Sequence, residues 1–162
     1  MLLSACHSSK NSGNQPTKTE TANPAPDFET TTLTGKKFKL SEHKGKVVLV
    51  NFWFSQCPPC ITEILSLNQL QTDYQAKGLS IIGIGLDESE KISSLITQHK
   101  IQYPTAAKGQ KLADMFKVSR YPTSFLIDKK GNIRQTETGA SDWDATYTYI
   151  QLKPMIEKLL VE

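Results

Sequence analysis

Three cysteines occur among the 162 residues, and two of them, Cys57 and Cys60, are separated only by Pro58 and Pro59. Thiols at this spacing can alternate between dithiol and disulfide. One thiolate attacks a partner's disulfide, and the second releases the mixed disulfide that results. The pair falls where the apolar run Lys46–Phe54 gives way to a helical pattern. A first helical turn offers unpaired N–H groups and partial positive charge, which favour a thiolate at Cys57. Prolines suit that turn, because its N–H groups lack partners in any case. Other uses of the pair fit less well. Structural zinc needs a second pair of ligands at related spacing, and His43 and His99 form no such motif. Covalent haem attachment needs His directly after the second cysteine, where Ile61 stands. A purely structural disulfide across so short a loop would stabilise little. A copper(I) carrier would use the same soft thiols, but no Met or His cluster accompanies them. Thiol exchange itself calls for no cofactor and no resident metal.

The elements around the pair can be read from periodicity. Lys46–Phe54, nearly all apolar and β-branched or aromatic, predicts a central strand covered on both faces. Residues 60–77 place Ile61, Ile64, Leu65 and Tyr74 at helical spacing and end at Lys77-Gly78, a C-cap signature. Leu79–Leu86 reads as a second buried strand, and Ile92, Leu95, Ile96 and His99 mark a second helix. A short helix is expected around 110–117. The segments 123–128 and 132–138 flank Asp128-Lys129-Lys130-Gly131, a hairpin turn by composition. A last helix is expected over 142–161, with Pro154 kinking or breaking it. Leu33-Thr34-Gly35-Lys36 suits a small hairpin within Phe28–Leu40. Strand–helix–strand followed by an antiparallel hairpin and a closing helix predicts an α/β fold, a central mixed sheet flanked by helices with an added N-terminal β-hairpin.

The whole-chain numbers bound the function. The length is that of one ordinary domain able to build its own core. A net charge of +3 gives no reason to expect nucleic acid as a partner. Residues 8–25 are Ser-, Asn-, Thr- and Pro-rich with almost no apolar side chains, so 1–25 is expected to be a tether and 26–162 the folded domain.

Phe52–Cys60, Tyr121-Pro122-Thr123 and the opening Pro26-Asp27-Phe28 … Gly35-Lys36 together resemble the TlpA/ResA-like branch of the thioredoxin superfamily, related to AhpC/TSA proteins. The resemblance spans about residues 24–160. It implies a thioredoxin-like fold, an insertion between the first helix and the next strand–helix unit, and a membrane-anchored dithiol reductase, some relatives serving cytochrome c maturation. Carried over residue by residue, Cys57 is the exposed attacking cysteine and Cys60 the buried resolving one. Pro122 is the cis-proline facing the pair, with Tyr121 backbone pairing with the substrate chain. Trp53, Gln56, Pro58, Pro59 and Thr123 complete the expected substrate surface. Asn51 stands where cytoplasmic thioredoxins have a buried aspartate, and Asn cannot take a proton. The family's glutamate near the pair is therefore sought after the second strand, at Glu88, with Asp87 as the alternative. A carboxylate in apolar surroundings there would exchange protons with Cys60 near neutral pH. Gln56 replaces the family's usual Trp, and Leu65 stands where many relatives have a helix-kinking proline. The opening motifs also look like those of peroxiredoxin-type thiol peroxidases, which normally use Thr or Ser where Phe54 sits.

Leu3-Ser4-Ala5-Cys6 reads as a lipobox, with Cys6 the point of lipid attachment. Only Met1-Leu2-Leu3 precede it, short of a leader's basic start and apolar stretch of about 7–15 residues, so a truncated leader is expected. Together these features predict a monomeric, lipid-anchored enzyme on the periplasmic side of the cell envelope. Its expected partners are a disulfide-containing exported protein, apocytochrome c among the candidates, and a membrane thiol reductant.

Overall fold

The computed structural model describes residues 22–162, so Cys6 and most of the expected tether lie outside the described residues. Two short strands, β1 (Glu29–Thr31) and β2 (Lys37–Lys39), form the N-terminal hairpin around Gly35, whose φ of 80° suits a residue without Cβ. The main sheet has five strands in the order β5-β4-β3-β6-β7: β3 (Val47–Trp53), β4 (Leu79–Gly85), β5 (Thr105–Ala106), β6 (Thr123–Ile127) and β7 (Ile133–Thr138). β3 runs parallel to β4 and antiparallel to β6, so the sheet is mixed, as the element order predicted.

β3 is apolar but for Asn51, and both its faces are covered. Val48, Val50 and Phe52 join Phe28, Phe38, Phe116 and Phe125 on one side, under the hairpin and α3 (Gln110–Met115). Val47 and Leu49 meet α1 (Pro58–Tyr74) and α4 (Tyr147–Val161) on the other, through Leu67, Leu70, Leu152, Ile156 and Leu159. Burying each such side chain contributes roughly 1.5–3 kcal/mol, which makes β3 the strand on which both layers depend. A third cluster forms at the C-terminal end of β3. There Trp53, Cys57 and Cys60 pack with Ile92 of α2 (Ser89–His99).

Four expectations need correction. Pairing begins before residue 26: Ile133 N–H donates to Asn23 O, and Ala25 N–H to Gly131 O, at 2.8 and 2.9 Å. No inserted unit separates α1 from β4, only a 3-10 turn at Gln75–Lys77; the extra helix–strand pair, α2 and β5, follows β4 instead. α4 starts at Tyr147 rather than 142, because Ser141 and Asp144 side chains accept the backbone N–H groups of Trp143, Asp144 and Thr146 and hold a turn there. Pro154 lies inside α4 without breaking it. It sits on the exposed side, where water can satisfy the Ile150 carbonyl that loses its partner.

Candidate active site

Cys57 is the N-cap of α1, in extended conformation, and Pro58 and Pro59 occupy the first two helical positions. Its Sγ accepts the Cys60 N–H at 3.3 Å, so the sulfur fills the role that a Ser or Asp oxygen has at other helix starts. Cys57 and Cys60 are joined as a disulfide, S–S 2.06 Å. When the bond is reduced, the same N–H and the positive end of the helix favour a thiolate at Cys57. Cys57 is 4% exposed and Cys60 1%, so the residue expected to be open to partners is itself largely covered.

The loop that leads into β6 approaches the pair. The Tyr121–Pro122 bond is cis, and Tyr121 packs into the cysteine cluster with its ring edge-on to Phe54 at 5.5 Å. Gln56 and Pro58 are exposed and Tyr121 and Pro59 half-buried, leaving these four available to a partner chain. Two expected substrate contacts are not. Trp53 is 1% exposed and lies in the cluster with the cysteines; Thr123 is buried and its hydroxyl donates to Arg120 O at 2.8 Å. Both belong to the packing that supports the site.

The structure places a buried acid that periodicity-based reading passed over. Glu63 follows Cys60 by three positions on α1, hence on the same helix face. Its carboxylate oxygens accept hydrogen bonds from Asn51 Nδ2 at 2.7 Å and Thr148 Oγ1 at 3.1 Å. Asn51 also donates to Ser124 Oγ at 3.0 Å. Glu63 is only 3% exposed. Burial pushes its pKa up to about 8, against the two hydrogen bonds, which favour the charged form, and with a small added push from Glu137. That is close to the range of an ordinary thiol.

Residues 21–136 match the AhpC/TSA family. The chain belongs to the AhpC/TSA family. Among relatives, this AhpC/TSA-family chain is 38% identical over 129 residues to the thiol-disulfide oxidoreductase ResA of Bacillus cereus, covering 78% of this chain and 75% of that one. It is 32% identical over 119 residues to the thioredoxin-like protein YneN of Bacillus subtilis, covering 71% and 69%. A solved structure described as the thiol:disulfide interchange protein DsbE of Chlorobium tepidum superposes with a TM-score of 0.78 at 30% identity, over 86% of this chain and 96% of that one. The chain is a thiol–disulfide oxidoreductase of the ResA/DsbE type with a thioredoxin-like fold.

Within this AhpC/TSA-family frame Glu88 does not have the setting expected of it. It is the N-cap of α2, its side chain 71% exposed and paired with Lys108 Nζ at 2.6 Å. Asp87 is no substitute. Burial raises its pKa, but hydrogen bonds from Ser55 N–H and Oγ at 2.7 and 2.8 Å, helped by Lys91, outweigh that and hold it low. An acid kept ionised cannot give up a proton at neutral pH; Asp87 instead fastens the loop that leads into Cys57. The buried acid near the pair lies on α1, not at the start of α2. The signal for Glu63 was present: Cys60, Ile64 and Leu67 define the buried face of α1, and a glutamate at 63 falls on it.

Proposed function

We propose that this enzyme reduces disulfides of exported proteins at the outer face of the cytoplasmic membrane, with Glu63 as its proton carrier. Cys57 thiolate attacks one sulfur of the partner's disulfide, forming a mixed disulfide and expelling the partner's other sulfur as thiolate. Cys60 then attacks Cys57 Sγ, releasing the partner's second thiolate and closing the Cys57–Cys60 bond. The Cys60 proton passes to Glu63 and on to the departing thiolates by way of solvent. Transfer is efficient because the carboxyl, with a pKa of about 8, is closely matched to an ordinary thiol. The observation that carries this reading is the buried Glu63 one turn from Cys60, held by Asn51 and Thr148. The cis Tyr121–Pro122 bond and the exposed Gln56 and Pro58 supply the surface on which the partner chain rests.

The reductive direction, the envelope location, the lipid at Cys6 and apocytochrome c as a partner follow the family resemblance and the lipobox. A membrane thiol reductant would return the pair to the dithiol state. The reduction potential of the Cys57/Cys60 couple tests the direction. A value near thioredoxin's, about −270 mV, supports a reductase, and one near about −120 mV makes the enzyme an oxidant. Mass spectrometry of the mature N-terminus tests the anchor: a lipidated Cys6 is expected, and an unmodified Cys6 thiol ends the proposal.

A further inference from the structure

Trp143 is 86% exposed, although tryptophan is among the most costly side chains to leave in water. The loop that carries it, between β7 and α4, is firmly tied down. Gly139 N–H donates to Pro122 O at 2.8 Å, at the cis-proline. The Thr62 hydroxyl lies 3.2 Å from Asp142 O and 3.2 Å from Pro58 O, so one side chain of α1 links this loop to the Cys-Pro-Pro-Cys turn. Ser66 Oγ donates to Ala145 O and accepts Tyr149 N–H. Ser141 Oγ accepts Trp143 N–H and Asp144 N–H at 3.3 and 2.9 Å. None of these bonds uses the indole. The fold holds the loop in place and presents Trp143 outward, flanked by the exposed Asp142 and Asp144. Hydrogen bonds from the Thr146 hydroxyl and backbone hold the Asp144 carboxyl below the usual carboxylate range, so it stays charged.

The Trp143 loop is fastened both to the cis-proline loop and to α1, the two elements that meet at the cysteine pair and that a polypeptide whose sulfur reaches Cys57 has to approach. An exposed indole with an exposed aspartate on each side of it in the chain suits one ligand chemistry, a lysine ammonium or arginine guanidinium, through cation–π attraction and charge together. We propose that Trp143, with Asp142 and Asp144, is a specificity site that engages a basic side chain of the substrate polypeptide close to its reducible cysteine. The proposal rests on the thiol–disulfide exchange reading, and its test separates the two.

Symmetric peptide disulfides differing only in Lys, Leu or Glu two residues from the cysteine are mixed with the reduced enzyme. Each reduction consumes one protein dithiol and yields two peptide thiols, counted by chromatography. Hydroxyethyl disulfide, which has no side chain to dock, measures the exchange chemistry alone. The Lys peptide should be reduced about two- to five-fold faster than the Leu peptide, the size of an exposed cation–π contact, with the Glu peptide slowest. Trp143→Ala should remove the Lys-over-Leu preference, Trp143→Phe should keep part of it, and Asp142→Asn with Asp144→Asn should narrow the Lys-to-Glu ratio. Equal rates for the Lys and Leu peptides, a faster Leu peptide, or a preference that survives Trp143→Ala would each overturn the proposal. Failure to reduce hydroxyethyl disulfide would instead remove the redox reading beneath it.

Discussion

At Glu63 two effects oppose each other. Burial disfavours the carboxylate, while Asn51 Nδ2 and Thr148 Oγ1 donate to it and favour the charge; burial wins, leaving a pKa of about 8. Glu63→Gln keeps the shape and an accepting oxygen but cannot ionise. The pH profile of thiol alkylation in the reduced enzyme should therefore change shape near neutrality, and turnover of a protein disulfide should fall by up to on the order of a hundred-fold. Profiles that superpose on wild type would show that this carboxyl plays no part. Asn51→Ala gives a complementary test. Loss of its donated hydrogen bond should push the Glu63 pKa higher still and shift the alkylation profile toward higher pH, the opposite of what a merely loosened site would give. The residues of this site were unevenly legible in the sequence. Cys57, Cys60 and Pro122 declare themselves by spacing and by resemblance. Glu63 was hidden because a glutamate on a helix reads as solvated unless its position on the wheel is set against its apolar neighbours. Glu88 attracted attention by following a buried strand, yet a residue at a helix N-cap faces water unless something covers it.

Among the elements, α3 shows how closely this fold is packed. Gly109, just ahead of it, donates its N–H to Gly85 O at 3.0 Å, and a Cβ there would collide with Ile84 Cγ2 and lie 3.1 Å from that same carbonyl. Ile84 is fully buried and the carbonyl is backbone, so neither can yield cheaply. Gly109→Ala should cost about 1–3 kcal/mol, the range for overpacking a filled interior, and lower the urea midpoint accordingly. A midpoint unchanged from wild type would mean that α3 can slide. The phenylalanine cluster would feel such a slide first, because Phe116, at the end of α3, packs on Phe28, Phe52 and Phe125. Strong periodicity made β3, α1, β4, β6 and β7 readable, since each has enough residues to repeat its pattern. β5 was missed because two residues, Thr105 and Ala106, cannot show alternation; its pairing with Gly83 and Ile84 exists only in three dimensions. The start of α4 was misplaced for a similar reason. Side-chain bonds of Ser141 and Asp144 compete with helix formation, and no hydrophobic repeat registers that contest.

For the molecule as a whole, one buried acid sets how stability responds to pH. The folded pKa of Glu63 lies near 8 and the unfolded value near 4.5, so the folded state retains a proton that the unfolded chain gives up. Its contribution is complete below about pH 4.5 and is lost as pH rises through about 8, at a slope of at most about 1.4 kcal/mol per pH unit. Asp87 and Asp128 have lowered pKa values, so their contributions have the opposite sign and vanish only in acid, below the unfolded carboxylate range. The two windows barely overlap. Denaturant unfolding of the disulfide form, in which neither Cys57 nor Cys60 can titrate, should therefore show stability declining from about pH 5 to about pH 8. Glu63→Gln should flatten that decline while leaving the loss in strong acid intact, because Asp87 and Asp128 are untouched. If the variant and wild type instead decline in parallel, Glu63 is ionised in the folded protein at neutral pH. A carboxyl ionised that far below a thiol's range would be a poorly matched acceptor for the Cys60 proton.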